Sequence, residues 1–138
     1  MSDANKAVTR RFLDEAFSKG NLAAVDELVA DDYVDHSPPP NVPADKAGLK
    51  QIIEMFRSAF PDLTVTVEDA VAEGDKVAVR VVTRGTHQGE LMGIAATGRT
   101  VAFNEQHFVR ISNGKLVEHW GVEDNLGMMQ QLGVVPTP

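Results

Sequence analysis

Cysteine is absent from the 138 residues, which excludes disulfides, thiolate metal sites and a cysteine nucleophile and leaves the redox compartment open. No stretch approaches the roughly 20 apolar residues of a membrane span. The N-terminal MSDANKAVTRR also holds no apolar core of a secretion signal. A soluble, cytoplasmic protein with no membrane partner is the expectation. Basic residues are scattered and the net charge is −7, which argues against the phosphate contacts of a nucleic-acid binder. Internal repeats, low-complexity segments beyond one proline stretch, and shifts of composition are all missing, so residues 1–138 read as one domain. A chain of this length buries roughly 68–70% of its unfolded surface without staples.

What is present divides into helical and alternating halves. Val8, Phe12, Leu13, Ala16 and Phe17 make one helical face, with Asp3 as N-cap and Gly20 as the C′ residue. Asn21 caps a second helix with Leu22, Val25, Leu28 and Val29 inward, and Asp31-Asp32 ends it. Tyr33 to His36 is short and extended, and Ser37 to Pro43 continues neither helix nor central strand. Asp45 caps a third helix carrying Leu49, Ile52, Ile53, Phe56 and Phe60, which Pro61 stops. From Leu63 the period changes to two. A hairpin turns at Glu73 to Lys76, a glycine-rich connection runs from Gly85 to Gly98, and a last hairpin turns at Asn113-Gly114. Asn125 to Leu132 adds a short closing helix. Helices first and antiparallel strands after predict an α+β fold, a sheet wrapping around helices packed on one side.

The last hairpin gathers the ionisable residues. Counting outward from a two-residue turn sets Ile111 opposite Leu116, Val109 opposite Glu118, His107 opposite Trp120, Glu105 opposite Val122 and Phe103 opposite Asp124. One face then combines apolar walls with Glu105, His107 and Asp124, as a small-molecule pocket requires, and His119 points to the other. A one-residue bulge would exchange the faces from that point on. Asp124 reads either as a pocket carboxylate or as the cap of the helix after it, and His107 either as pocket lining or as a cross-strand packing partner of Trp120. His36 stands where a pocket mouth could lie. His87 reads as a strand-end residue, and Asp69 opposite Arg80 as a surface ion pair. No HxH or HExxH spacing occurs, so no metal site is expected.

Six segments together resemble the SnoaL-like polyketide cyclases of the NTF2-like superfamily: Glu27 to His36 (ELVADDYVDH), Ala59 to Leu63 (AFPDL), Glu73 to Val77 (EGDKV), Arg84 to Gly89 (RGTHQG), Arg110 to Trp120 (RISNGKLVEHW) and Gln131 to Gly133 (QLG). The resemblance runs nearly end to end. It implies a cone of helices against a curved mixed sheet, a deep apolar pocket, and homodimers formed through the sheet's outer face. It also implies an intramolecular aldol ring closure that uses no metal or cofactor. In this resemblance Asp124 matches the general acid/base and His107 a pocket histidine, while Glu105 stands where such cyclases can have glutamine.

The expected protein is therefore a cofactor-independent cyclase acting on a hydrophobic carbonyl or polyketide-like small molecule. Asp124 and His107 are its expected catalytic residues. Glu105, Trp120, Phe103, His36, Phe12, Phe56, Phe60 and Val122 are its expected substrate contacts. The rival readings are a ligand-binding or dimeric module without chemistry, an isomerase, and an epoxide hydrolase, the last of which lacks a pocket arginine in this register.

Overall fold

Capping and helical spacing put three helices ahead of most of the sheet. The computed structural model describes residues 2–137. In chain order come α1 (Ser2–Phe12), a π-helical segment (Leu13–Ser18), α2 (Ala23–Leu28), β1 (Val29–Asp35) and α3 (Lys46–Ala59). The chain then forms β2 (Thr64–Glu73), β3 (Lys76–Thr86), β4 (Thr100–Ser112), β5 (Lys115–Glu123) and α4 (Asn125–Leu132). Asp45 caps α3 by accepting a hydrogen bond from the Gly48 amide at 2.9 Å. Asn113 and Gly114 hold φ of 52° and 74°, the pair of positive values that a type I′ turn demands.

The sheet order is β1-β5-β4-β3-β2. β1 runs parallel to β5 and every other pair is antiparallel, so the architecture is the α+β arrangement expected. The helices cover one face of the curved sheet. Phe12, Val25, Ile53, Val79 and Ile111 share one buried cluster, and Phe60, Leu63, Phe103, Met128 and Leu132 share a second beneath α4. Between these fillings the face stays open.

Two element boundaries differ from the sequence reading. Val29 to Asp32 belong to β1 rather than to the end of a helix: Val29 is already registered against Leu116 of β5 and the strand resumes regular pairing at Val34, so tertiary pairing outweighs local preference. α1 starts at Ser2, which leaves Asp3 inside the first turn, where its charge still suits the helix N-terminus. After Phe12 the helix widens into π geometry, a form frequent beside functional sites. Leu13 and Phe17 of that segment face the open space.

Candidate active site

A single extra residue in β5 sets the geometry of the site. Ile111 pairs with Leu116 as counted, but Arg110 pairs with Glu118, so Val117 bulges. From there the faces exchange. His119 falls opposite Val109, Gly121 opposite His107, and Glu123 opposite Glu105. His119 and Glu123, not Trp120 and Val122, thereby join Glu105 and His107 on the inner face.

The inner face and the helices enclose a cavity of about 290 Å³ that opens to solvent. Its apolar wall includes Phe12, Phe17, Leu49, Met55, Phe56 and Val79, and Pro38 to Pro40 lie along it as well. Its polar side is one connected row. Asp35 Oδ1 lies 2.8 Å from His119 Nδ1, His119 Nε2 lies 2.8 Å from His107 Nδ1, and His107 Nε2 lies 2.9 Å from Glu105 Oε2. Asp35 Oδ1 also accepts the Ser37 amide at 2.8 Å. Glu123 stands next to this row.

Environment separates the carboxyl groups. Glu123 sits at the cavity rim with an exposed side, yet partial desolvation raises its carboxyl above its ordinary range and the like charge of Glu105 raises it further. Burial pushes Asp35 the same way, but the His119 and Ser37 hydrogen bonds outweigh it and hold that carboxyl below its usual 3.8. The stability contributed by the Asp35 carboxylate is therefore present above 3.8 and is lost as pH falls through its lowered value. Urea titrations across that acid range should show a shallower loss of stability in Asp35→Asn than in the wild type. Tyr33, buried next to Asp35, has its phenol pushed far up, by burial first and by that carboxylate second.

The expected residues divide cleanly. Glu105, His107, Phe12 and Phe56 line the cavity. Asp124 does not: it is absent from the cavity lining, and its carboxylate caps α4 by accepting the Gly127 amide at 2.8 Å, so of its two readings the cap is the one realised. Val122 is 68% exposed on the outer face. Trp120 also lies outside, its ring stacked on His36 at 4.8 Å. His36 in turn contacts Glu118 at 2.7 Å and is drawn away from the mouth. Phe60 and Phe103 point inward but are packed into the second cluster, where α4 leaves no space beside them. His119, expected outside, is inside. These corrections, apart from the two phenylalanines and His36, follow from the bulge.

Asp35, His119, Gly121 and Glu123 are the site residues that the sequence reading did not single out. Asp35 carried no signal in hydrophobic alternation, because Tyr33 and Asp35 are buried while Val34 between them is 42% exposed, the inverse of what polarity predicts for Tyr-Val-Asp. Val117 carried none, since nothing in a Leu-Val-Glu run announces which residue will be left unpaired.

The match to known proteins follows the same outline. The family model for SnoaL-like polyketide cyclases covers residues 7–132. Aklanonic acid methyl ester cyclase DauD from Streptomyces sp. (strain C5) is 30% identical over 135 residues, 93% of this chain and 82% of that protein. Among solved structures, TsrD from Streptomyces laurentii superposes with a TM-score of 0.87 at 29% identity, covering 96% of this chain and 97% of that one. IdmH from Streptomyces antibioticus gives 0.83 at 39% identity, covering 94% and 99%. This chain belongs to the SnoaL-like polyketide cyclase family.

Proposed function

We propose that this protein closes a ring in a neutral, hydrophobic polycarbonyl compound by an intramolecular aldol addition, with Glu123 as base and the His107–Glu105 pair as acid. The observation that carries this reading is the apolar cavity with one wall of acid and base groups, Glu123 among them with a raised pKa. A carboxylate held above its ordinary range is a better base toward carbon flanked by carbonyls. Glu123 takes that proton, the enolate carbon attacks the second carbonyl, and a proton from the His107–Glu105 side reaches the new alkoxide. Glu123 then returns its proton to Glu105, its cross-strand partner, and the cycle closes without net gain or loss. Asp124, matched to the acid/base by resemblance, keeps a role as the cap that fixes where β5 ends.

The site's charge also bears on the substrate. Asp35, Glu105 and Glu123 place three carboxyl groups around two imidazoles, and neither lysine nor arginine is among the described lining residues. A carboxylate substrate would be repelled there; its ester would not. The relative DauD is named for a methyl ester. Aklanonic acid methyl ester should therefore give a ring-closed isomer of unchanged mass by chromatography and mass spectrometry, at a rate at least about tenfold above the free acid. Equal turnover of acid and ester would refute the charge argument, and the absence of isomer from esters of this class would refute the proposed activity.

The outer sheet face supports a homodimer. Phe108 and Val122 are 54% and 68% exposed there, next to Trp120, and light scattering should return twice the chain mass.

A further inference from the structure

The row from Asp35 to Glu105 contains all four ring nitrogens of two histidines, each within hydrogen-bond distance of one partner in the row. Each of its three contacts needs one proton between the two heavy atoms; a contact with none sets lone pair against lone pair, and one with two sets hydrogen against hydrogen. Three contacts therefore hold three protons. At the inner end the position is fixed, because Asp35 Oδ1 already accepts the Ser37 amide, so His119 Nδ1 donates to it. The other two protons have four isoprotonic placements, of which the one that strips both protons from His107 makes an imidazolate and is excluded, leaving three. The imidazolium sits on His119, or it sits on His107, or both rings are neutral and Glu105 is the carboxylic acid donating to His107 Nε2.

We propose that Asp35, His119, His107 and Glu105 act as one three-proton relay, with Asp35 the positioning residue that fixes the tautomer of His119 and keeps an acid ready at the Glu105 end. This rests on the acid/base reading of the site given above. Shifting two protons by one contact each converts an imidazolium deep in the row into a neutral carboxylic acid beside the substrate, with no change in total protons. When that acid gives its proton to the alkoxide, one contact is left without a proton, and the row takes it back from Glu123. Asp35 never touches the substrate in this scheme.

Gly121 reports on how closely the row is packed. A Cβ built on it would collide with His107 Nδ1 and lie 2.8 Å from His119 Nε2, the two atoms of the central contact. Glycine is needed there because the bond between the rings passes over that backbone position. The other titratable groups facing the row are Glu123 on β5 and Tyr33 on β1; α1 and α3 face the cavity with Thr9, Phe12, Leu49 and Phe56, none of which titrates.

Nitrogen-15 NMR of the histidine rings in the ligand-free wild type, with carbon-13 NMR of the Glu105 carboxyl, counts the protons directly near neutral pH. Three in total are expected, with His119 Nδ1 protonated; two neutral rings beside an ionised Glu105 would overturn the relay. Asp35→Asn and Gly121→Ala cut the row at its end and at its centre. Each should lower kcat about tenfold or more, a share of the roughly 10²–10⁴ that acid–base catalysis supplies, while KM moves little. In Asp35→Asn the alkaline limb of the kcat profile should shift to lower pH, because an amide no longer balances the imidazolium. The double variant should lose no more than the worse single one, as parts of one unit do. Multiplying losses, or an unmoved pH limb, would make both residues merely structural. The proton count needs neither a variant nor a substrate, so it stands or falls apart from the ring-closing activity.

Discussion

Glu123→Gln is expected to lower kcat by roughly 10²–10⁴ while ligand affinity is retained. Gln has the same shape, so the wall of the cavity is unchanged and only the proton acceptor is removed. The pH dependence supplies a second readout. A carboxyl raised by burial and by the Glu105 charge must ionise before it can act, so the acid limb of the wild-type profile should lie above the ordinary glutamate value of 4.5. That limb should vanish from the residual activity of the variant. Asp124→Asn provides the contrast. Asn caps a helix about as well as Asp, and the side chain lies outside the cavity, so turnover should stay within about twofold of the wild type. Steady-state kinetics on the two variants decides between them. Loss in Asp124→Asn with retention in Glu123→Gln would reverse the assignment.

Gly48→Ala should be among the most destabilising single changes in the chain. Helix propensity alone predicts the opposite, since alanine inside a helix is favoured over glycine by about 1 kcal/mol. Packing decides against it. A Cβ on Gly48 would overlap the Pro43 carbonyl oxygen and lie 2.7 Å from its carbon, and backbone cannot swing aside as a side-chain tip can. Either α3 or the segment from Ser37 to Pro43 must move, at a strain of about 2–3 kcal/mol or more beyond the propensity gain. Differential scanning calorimetry should show a fall in Tm of roughly 5–10 °C. Because Pro38 to Pro40 line the cavity, ligand affinity should fall with it. An unchanged or higher Tm would mean that propensity had won.

How much of this was legible in the sequence depends on the range of the interaction that decides each feature. Asp45, Pro61 and Asn113-Gly114 act within a few residues of themselves, and α3, its end and the last turn fall where those residues indicate. The family pattern, spread over six segments, carried the fold. The inner face of β4 was also readable, since Glu105, His107 and Val109 alternate from an identified turn. On β5 alternation counted from the turn breaks at Val117, and it puts every position beyond on the wrong face. Period-two logic has no memory of a bulge: one unpaired residue converts His119 and Glu123 from outside to inside and sends Trp120 and Val122 the other way. Phe60 and Phe103 failed for another reason. Their direction was right, but whether a face is hollow or filled depends on Met128 and Leu132 arriving from α4, which no local pattern states.

The parallel pairing of β1 with β5 joins residues more than eighty positions apart, such as Asp35 and His119. Closing so large a loop is an entropic debt that the β2–β3 and β4–β5 hairpins do not incur. The antiparallel strands can therefore zip up while β1 is still adrift, leaving an inner face with Glu105, His107, His119 and Glu123 in place but without Asp35 beside His119. In a refolding chain, backbone structure should return ahead of competence: dichroism would recover first, and turnover would wait for the edge strand to dock.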